Sequence, residues 1–438
     1  MREMKAIKRQ TGNPLGISMR ADFPGGGAGK RSASAVERWL LKEMLRGLGN
    51  PSVAMALWDG TLVAGAGADA GQSQIRVYLR DPGALIRLAL DPLFQFGELY
   101  SCGRIEVEGE LVALIEAIFA AQGVKAGMRG RLLSLVHVPR SNLLGQSTGN
   151  IHHHYDIGND FYRLWLDRQL LYTCAYFPDP SLGLEEAQVA KMDHVCRKLR
   201  LQPGETVVEA GCGWGALALH MAREYGVRVR AYNLSREQIA HARKRVREEG
   251  LDGRVEFVEA DYRAIRGEYD VFVSVGMLEH VGRRHYQELG AVIDRCIGKQ
   301  GRGFIHAIGM DYATPLNPWI ERRIFPGAYP PTLREMMEVF ETAGLSVLDV
   351  ENLRLHYAKT LEHWLARYEA ATDQVEAMFG PLFVRAWRLY LAGSLAAFRC
   401  GKLQLFQVLF QRNGDNRIPW TRAYLYEEHK QPWNTPTS

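Results

Sequence analysis

Polar side chains stand at two places where the sequence is otherwise apolar. Glu279 follows the apolar run in VFVSVGMLEHVG, and His306 interrupts GFIHAIG, where Val or Leu would be expected. A carboxylate at the carboxyl end of a buried parallel strand lies in the ligand crevice of the sheet rather than in solvent. The sequence therefore predicts a site role for Glu279. His306 fits either the same site or a hydrogen-bonded position in the core.

A second feature is the glycine-rich turn in VVEAGCGWGALALHMA, where Gly211, Gly213 and Gly215 stand at every second position. Because the turn joins a short apolar strand to an amphipathic helix, backbone N–H groups can face a ligand there without a Cβ in the way. The spacing fits both NAD and S-adenosylmethionine (SAM) as ligands. A tight turn without a ligand is the alternative.

Two details favour SAM over NAD. The spacing is GxGxG rather than GxGxxG, and the second strand ends at Asn233, with no carboxylate to bind a ribose diol. Asp261 closes the third strand, where an adenine ring would lie. The sequence therefore predicts SAM as the cofactor.

The elements that must position these residues alternate between strands and helices. We predict strands at 206–210, 227–233, 255–260, 271–275, 303–308 and 346–350, and helices at 214–225, 235–249, 284–297 and 333–343. The second of these helices opens with a predicted capping box of Ser235 and Gln238. Such alternation indicates βαβ units and hence an α/β fold with a doubly wound parallel sheet.

Composition divides the chain into four parts. Residues 1–34 are basic and predicted to be flexible, because their end, FPGGGAGKRSAS, is rich in Gly and Ser. Residues 35–124 mix helical and strand-like patterns and are predicted to form a small α+β accessory domain. Residues 125–150 form a basic connector, and residues 151–438 form the α/β domain.

Composition also excludes several classes of protein. The chain has 438 residues, of which 47% are hydrophobic, and a net charge of +5. No apolar run is long enough to cross a bilayer, and the N-terminus lacks the apolar core of a secretory signal, so we expect a cytoplasmic protein. The six cysteines are scattered without disulfide or zinc spacing. The adjacent histidines at 152–154 cannot all face one ion, so no metal site is predicted.

Positive charge is concentrated in residues 1–31 and in the segment KAGMRGRLLSLVHVPR at 125–140. Both segments could lie against anionic lipid headgroups. Apolar residues of the second segment, among them Leu132, Leu133 and Leu135, would suit an interfacial element. Solvated connectors are the alternative. We expect no nucleic-acid partner.

The chain resembles the cyclopropane fatty acid synthases and the related mycolic acid cyclopropane synthases. The blocks that carry the resemblance cover most of residues 151–412 in the family's order. They are HHHYDIGNDFYRLWLD, LLYTCAYF, EAGCGWG, NLSREQ, VGMLEHVG, GFIHAIG, WIERRIFPGAYPP, LHYAKTLEHW and QLFQVLFQR. The resemblance implies a Rossmann-like SAM-dependent methyltransferase domain, and residues 35–124 look like the accessory domain of bacterial members.

The resemblance implies transfer of a methylene group from SAM to the cis double bond of an unsaturated phospholipid acyl chain. Such a reaction produces a carbocation, and a proton must leave the new methyl group before the ring can close. In the family a bound bicarbonate is thought to take this proton. The positions that match the family's bicarbonate ligands are Cys174, Glu279, His306, Ile308 and Tyr357.

The resemblance also implies residues that contact SAM, and Glu209 among them stands where the family usually has Asp. Tyr172 and Thr173 are expected near the methionine end, Glu209 at the amino group, and Gly211 and Gly213 at the close approach of the turn. Asn233 and Gln238 are expected near the ribose, and Asp261 and Tyr262 at the adenine. Aromatic faces can stabilise a cation. The matching blocks contain Tyr155, Phe161, Tyr162, Tyr172, Tyr176, Trp319 and Phe325, most of which are expected to serve packing alone.

Two alternatives stay open. A related enzyme could use the same cation to make a methylene- or methyl-branched chain, or could methylate a small molecule, because the position of the base within about an ångström decides the product. A non-catalytic lipid-binding protein could keep the same fold. Because the substrate double bond lies mid-chain, we expect peripheral association with the inner face of the membrane. The resemblance suggests a homodimer formed through the N-terminal unit.

Overall fold

The computed structural model describes residues 14–17, 31–64, 74–122 and 157–426. The predictions for the connector at 125–150, for the histidines at 152–154, for Tyr155 and for most of the segment 1–34 lie outside these residues.

The N-terminal part is a four-stranded sheet with helices, in the strand order β2-β1-β3-β4. Its elements are α1 (Ala35–Gly47), β1 (Ala54–Ala56), β2 (Leu62–Ala64), β3 (Arg76–Leu79), α2 (Pro82–Leu90), α3 (Pro92–Ser101), β4 (Ile105–Glu108) and α4 (Leu111–Gln122). Helix α1 begins at a capping box formed by Ser34 and Glu37. Helices α2 and α3 each begin with a proline, which fits the first turn because no hydrogen-bond donor is needed there.

A seven-stranded sheet forms the centre of the second part. Its strands are β5 (Thr206–Ala210), β6 (Arg228–Asn233), β7 (Val255–Glu259), β8 (Tyr269–Val275), β9 (Ile297–Gly309), β10 (Leu345–Asn352) and β11 (Gln404–Arg412). The helices are α5 (Asn159–Arg163), α6 (Leu184–Leu199), α7 (Ala216–Tyr225), α8 (Arg236–Glu248), α9 (Leu278–Val281), α10 (Tyr286–Cys296), α11 (Pro318–Arg323), α12 (Leu333–Met336), α13 (Glu338–Glu341), α14 (Arg354–Ala370), α15 (Thr372–Phe379) and α16 (Pro381–Arg399). Short 3₁₀ turns lie at Tyr262–Ala264, Arg283–His285 and Ala423–Leu425.

The sheet order is β10-β11-β9-β8-β5-β6-β7, which confirms the predicted doubly wound α/β class. Strands β6, β7, β8 and β9 join β5 in a parallel arrangement. Strand β11 runs antiparallel to both of its neighbours, so the sheet is mixed rather than wholly parallel. A strand buried on both faces carries the same apolar pattern in either direction, so its orientation depends on tertiary contacts.

Helix α8 shows half of its predicted capping box. The Ser235 hydroxyl accepts the Gln238 N–H at 3.4 Å, as expected. The Gln238 side chain does not return to Ser235; its Oε1 instead accepts a hydrogen bond from Asn233 Nδ2 at 2.7 Å. The amide of Gln238 therefore fixes the end of β6 instead of the helix start.

Helices α14 and α16 pack beside the sheet around a cluster of aromatic side chains. Phe161 contacts Phe383 and Trp387 edge-on, with ring centroids 5.3 Å and 4.9 Å away, and Trp165 contacts Trp364 at 5.6 Å. Edge-to-face pairs of this kind stabilise a core beyond the area they bury. The predicted packing role of Phe161 and its neighbour Tyr162 agrees with this position, since both are fully buried.

The N-terminal part packs against the second part at helix α11. A Cβ at Gly97 would lie 2.4 Å from the Trp319 ring, so only glycine allows this contact. The Trp319 indole N–H and the Arg323 guanidinium both donate to Glu98. Trp319 therefore serves the contact between the two parts.

A short stretch of the predicted N-terminal segment also packs on this region. Leu15 and Ile17 are buried in the same core as the aromatic cluster, and Arg323 Nη1 donates to the Gly16 carbonyl at 2.8 Å. Among the helices of the described ranges, none has both the length and the apolar character that crossing a bilayer requires.

Candidate active site

A cavity of about 810 Å³ of empty space, open mouth included, lies at the carboxyl ends of β8 and β9. Several residues predicted for the site line it: Tyr172, Thr173, Cys174, Glu279, His306, Ile308 and Tyr357. The remaining wall is largely apolar and comes mainly from α11, α14 and α16 and the segments beside them: Leu316, Ile320, Phe325, Ala328, Pro330, Leu361, Phe398, Leu403 and Leu405. The tertiary structure thus brings together residues that are widely separated in sequence.

Glu279 enters the cavity from helix α9, which directly follows β8. Its Oε1 accepts the Ile308 N–H at 3.1 Å. Its Oε2 is buried and has no hydrogen-bond partner among the described residues. Burial raises the pKa of Glu279 to about 7, because the charged carboxylate loses its hydration there. The free oxygen is therefore available to a ligand in the cavity.

His306 lies on β9, directly opposite Gln407 of β11. The Gln407 Nε2 amide donates to His306 Nδ1 at 3.1 Å, which places the ring hydrogen on Nε2. That Nε2 is buried and meets no hydrogen-bond partner in the described part of the chain. Burial lowers the pKa of His306 well below its ordinary value, so the ring is neutral. The imidazole thus offers a single N–H donor to a ligand.

Cys174 and Tyr357 complete the predicted anion-binding set. The Cys174 thiol is fully buried and donates to the Ala175 carbonyl at 3.1 Å. Burial raises the pKa of Cys174, so it remains a neutral thiol rather than a nucleophilic thiolate. Tyr357, on α14, packs against Phe398 with ring centroids 4.4 Å apart. Both residues lie in the cavity wall.

The segment 171–177, which carries Tyr172, Thr173 and Cys174, is held by residues that the sequence did not single out. Thr360 Oγ1 accepts the Ala175 N–H at 3.0 Å, and His356 Nδ1 accepts the Phe177 N–H at 2.9 Å. Gln188 donates to the carbonyls of Leu171 and Thr173. One signal was available, because Gln188 and Lys191 are polar residues three apart among apolar residues of one helix.

The three glycines of the turn after β5 share a positive φ but differ in what surrounds them. The φ values of Gly211, Gly213 and Gly215 are 84°, 53° and 85°. A Cβ at Gly211 would lie 3.0 Å from Met277 Cβ, and one at Gly215 would lie 2.5 Å from the Phe257 ring. A Cβ at Gly213 would meet no described protein atom within 4 Å, and would instead project into open space. Gly213 is therefore where the backbone leaves room for a ligand.

Glu209, at the end of β5, is buried, and its Oε2 has no hydrogen-bond partner among the described residues. Burial raises its pKa to about 8, which the nearby Lys191 ammonium partly opposes. A ligand's ammonium group placed there would favour the ionised carboxylate and would supply the missing partner. Together with the open space at Gly213, this oxygen fits the methionine part of SAM.

The residues predicted near the ribose and adenine are already engaged within the chain. Asn233 Nδ2 donates to the Gly213 carbonyl at 3.3 Å, so Asn233 also shapes the glycine turn. The Asp261 carboxylate pairs with Arg263 Nη1 at 3.1 Å, and the Arg263 guanidinium lies 4.8 Å from the centre of the Tyr262 ring. Glu209 and these residues do not border the cavity that contains Glu279. They lie at the ends of β5, β6 and β7.

Two of the predicted aromatic residues, Tyr172 and Phe325, line the cavity. Tyr176 instead stacks on His194, with ring centroids 4.1 Å apart, and on His356. These stacking contacts of Tyr176 help to hold the segment 171–177 in place.

The raised pKa of Glu279 predicts a pH-dependent cost to stability. In the unfolded chain the carboxyl loses its proton near its ordinary pKa, whereas in the folded chain it does so only near pH 7. Stability is therefore lost as pH rises through this range, and Glu279→Gln should raise the melting temperature more at pH 8 than at pH 5. Between pH 5 and pH 8, the stabilising effect of the substitution on the free energy of unfolding should grow by about 2 kcal/mol. Differential scanning fluorimetry in bicarbonate-free buffer measures it, and equal shifts at the two pH values would contradict it.

Comparison with known proteins agrees with this geometry. The model of the mycolic acid cyclopropane synthetase family matches residues 144–408, and that of a domain of unknown function matches residues 40–126. A probable fatty acid methyltransferase of Pseudomonas putida is 37% identical over 85% of this chain and 95% of its own length. The cyclopropane-fatty-acyl-phospholipid synthase of Escherichia coli K12 is 38% identical over 66% of this chain and 72% of its own.

A solved structure shows the same arrangement of the second part. Mycolic acid cyclopropane synthase CmaA1, solved with S-adenosylhomocysteine (SAH) and CTAB, is 31% identical, with a TM-score of 0.58 over 60% of this chain and 98% of that one. The sheet and the glycine turn define a SAM-dependent methyltransferase. Within that class, the chain belongs to the mycolic acid cyclopropane synthetase family, as the resemblance of its sequence blocks predicted.

Proposed function

We propose that this enzyme transfers the methyl carbon of SAM to the cis double bond of an unsaturated phospholipid acyl chain and closes a cyclopropane ring, with bound bicarbonate as the base. The observation that carries the proposal is a largely apolar cavity bordered by two buried polar atoms, Glu279 Oε2 and His306 Nε2, that have no hydrogen-bond partner among the described residues. An acyl chain fits the apolar wall, and a small anion fits the two polar atoms.

The residues of the cavity suit the chemistry of an alkene. When bound, SAM supplies an electrophilic methyl group. An alkene is a weak nucleophile, so the cavity contributes by aligning it and by excluding water. The ring faces of Tyr172 and Phe325 stabilise the positive charge that develops on the acyl chain.

Ring closure requires a base that does not itself capture the cation. His306 Nε2–H can donate to bicarbonate, while Glu279, Tyr357 and Cys174 border the same space. The raised pKa of Glu279 lets its carboxyl carry a proton near neutral pH and donate it as a hydrogen bond. The Ile308 N–H is already used to orient Glu279. Bicarbonate at this position would supply the proton acceptor.

The names of the relatives support an acyl-chain substrate. The E. coli relative is a cyclopropane-fatty-acyl-phospholipid synthase, and the P. putida relative is a probable fatty acid methyltransferase. CmaA1 was solved with CTAB, a long-chain amphiphile. Because the double bond lies in the middle of a lipid chain, we also propose that the enzyme works on the membrane surface.

Vesicles of unsaturated phosphatidylglycerol test the function directly. Incubation with SAM should add the mass of one methylene to unsaturated chains and nothing to saturated ones of the same length. Proton NMR of the product should show ring methylene signals. Zwitterionic vesicles in a parallel reaction test whether surface charge contributes. Equal consumption of SAM with saturated vesicles would overturn the proposal.

One alternative product has support of its own. The P. putida relative, which spans more of this chain than the E. coli one, is named for methyl transfer rather than ring formation. A related product would be a methyl- or methylene-branched chain. Methyl or vinylidene signals in place of ring signals would favour this second function.

A further inference from the structure

The segment 171–177 carries three residues of the cavity wall, Tyr172, Thr173 and Cys174, yet it lies outside the helices and strands of the described residues. Buried backbone groups without a helix or sheet partner must find their hydrogen bonds elsewhere. Side chains of neighbouring helices supply several of them here. The position of the site residues on this segment therefore depends on those side chains.

Gln188, on helix α6, makes two of these hydrogen bonds with one amide group. Its Nε2 donates to the Leu171 carbonyl at 3.2 Å and to the Thr173 carbonyl at 3.0 Å. An amide nitrogen carries two hydrogens, so both of its donors are used. The two carbonyls flank Tyr172 in the chain, and Gln188 is fully buried. This single amide therefore fixes the backbone on both sides of Tyr172.

The turn that precedes the segment is strained. Leu170 is buried and has a φ of 60°, in the left-handed region that residues other than Gly, Asn and Asp seldom adopt. Such a conformation persists only where the surrounding contacts impose it. The Asp167 carboxylate holds the turn by accepting the N–H groups of Gln169 and Leu171, and Gln188 holds the chain that leaves it. Without the Gln188 amide, the segment would lose contacts on which its path depends.

Thr173 lies at the junction between the glycine turn and the cavity. A Cβ at Gly276, which follows β8, would lie 2.9 Å from Thr173 Cγ2. The next residue, Met277, packs against the turn, because a Cβ at Gly211 would lie 3.0 Å from Met277 Cβ. Thr173 also lines the cavity, and its hydroxyl accepts a hydrogen bond from Lys191 Nζ at 2.9 Å. A methyl group carried at the turn therefore reaches the cavity beside Thr173.

The order of the strands indicates which part of the cofactor faces this junction. The residues predicted for the ribose and adenine lie at or just after the ends of β6 and β7, and Glu209 lies at the end of β5. Strand β8 is the neighbour of β5 on the other side, toward the cavity. Bound in this direction, the cofactor has its sulfur and amino-acid chain on the side of Thr173 and its adenine on the far side.

We propose that Gln188 is a positioning residue for methyl transfer: its amide fixes Tyr172 and Thr173 where the amino-acid end of the cofactor meets the acyl chain. The proposal deepens the proposed function and rests on its direction of transfer, from the glycine turn to the cavity. Gln188 is not among the residues that line the cavity, and it acts through the backbone of the segment 171–177.

Two ligands that differ by the amino-acid chain separate this role from a structural one. SAH contains that chain, whereas 5′-methylthioadenosine lacks it. Gln188→Met keeps the length of the side chain but removes its donors. In isothermal titration calorimetry it should weaken SAH binding about tenfold, as is common for residues that orient a binding group without touching the ligand. Binding of 5′-methylthioadenosine should stay within about twofold, because the adenosine lies away from the segment.

A buried glutamine elsewhere in the sheet provides the matched control. Gln411, on β11, lies opposite Arg302, at the end of the sheet away from the cavity. Its Nε2 also donates to a backbone carbonyl, that of Asp415. Gln411→Met makes the same chemical change and should leave both affinities within about twofold. If Gln188→Met does not fold, Gln188→Asn keeps the amide but shortens its reach by one methylene, and the same selective loss of SAH binding is expected.

Three results would overturn the proposal: unchanged SAH binding in Gln188→Met, equal losses for both ligands in that variant, or an equal loss of SAH binding in Gln411→Met. Failure of the native chain to bind SAH at all would instead overturn the cofactor assignment. The binding assay contains no lipid, so the vesicle assay tests the proposed function separately.

Discussion

Replacing Glu279 by Gln is expected to lower kcat by about 10²–10⁴-fold, the range typical for loss of acid–base catalysis. The substitution keeps the shape of the side chain and leaves an oxygen to accept the Ile308 N–H. It replaces the ionisable carboxyl, whose Oε2 has no partner among the described residues, by an amide that cannot gain or lose a proton near neutral pH. Because Glu279 lines the cavity whereas Glu209 and Gly213 do not, the dissociation constant of SAH should change by less than about twofold.

A second buried glutamate provides the control for Glu279. Glu335 is also buried, but its carboxylate caps helix α12 together with Thr332, accepts the Tyr329 hydroxyl and pairs with Arg283 at 2.8 Å. Gln is accepted in a capping box, so Glu335→Gln should retain most of the turnover. Full turnover in Glu279→Gln would remove Glu279 from the role of holding the base. Loss of SAH binding in that variant would indicate general damage to the fold.

Gly213→Ala should have the second-largest effect, on cofactor use. The added Cβ would enter the open space beside the turn, and it would also strain a residue whose φ is 53°. Displacement of a bound group by about 1 Å can cost about 100-fold, so kcat/KM for SAM should fall by about that factor. Calorimetry with SAH should show a parallel loss of affinity.

The strain alone can be measured at Gly250. This residue has a φ of 66°, and a Cβ there would also meet no described protein atom within 4 Å, but it follows helix α8 rather than the glycine turn. Gly250→Ala therefore imposes a similar backbone cost, about 1–2 kcal/mol, without touching the cofactor. If the two variants lose SAH affinity equally, the space at Gly213 is not a ligand site.

The proposed chemistry has a cost that is visible in the structure. Glu279, His306 and Glu209 are all buried with one polar atom lacking a described partner. Each such group lowers the stability of the folded chain, because its hydration is not replaced. Sites that bind charged ligands commonly accept this cost. Ligands that partner these atoms should therefore stabilise the enzyme.

Much of the fold follows from the sequence alone. The alternation of apolar strands and amphipathic helices predicted the doubly wound α/β class, which the sheet confirms. The glycine turn and the Ser235 cap were predictable because they depend on residues near each other in the chain. The order of the sequence blocks predicted the family, and the family match confirms it. The role of each site residue stays a prediction.

Only the tertiary structure decided the rest. The antiparallel direction of β11 places Gln407 opposite His306 and so decides which ring nitrogen carries the hydrogen. The buried Lys191 donates to the Thr173 hydroxyl, a contact between two segments that only the tertiary structure brings together. Protonation states depend on hydration and on partners distant in sequence, whereas helices, strands and turns depend mainly on neighbours. For that reason the chain's local pattern specified its fold class, and long-range contacts specified the electrostatics of its site.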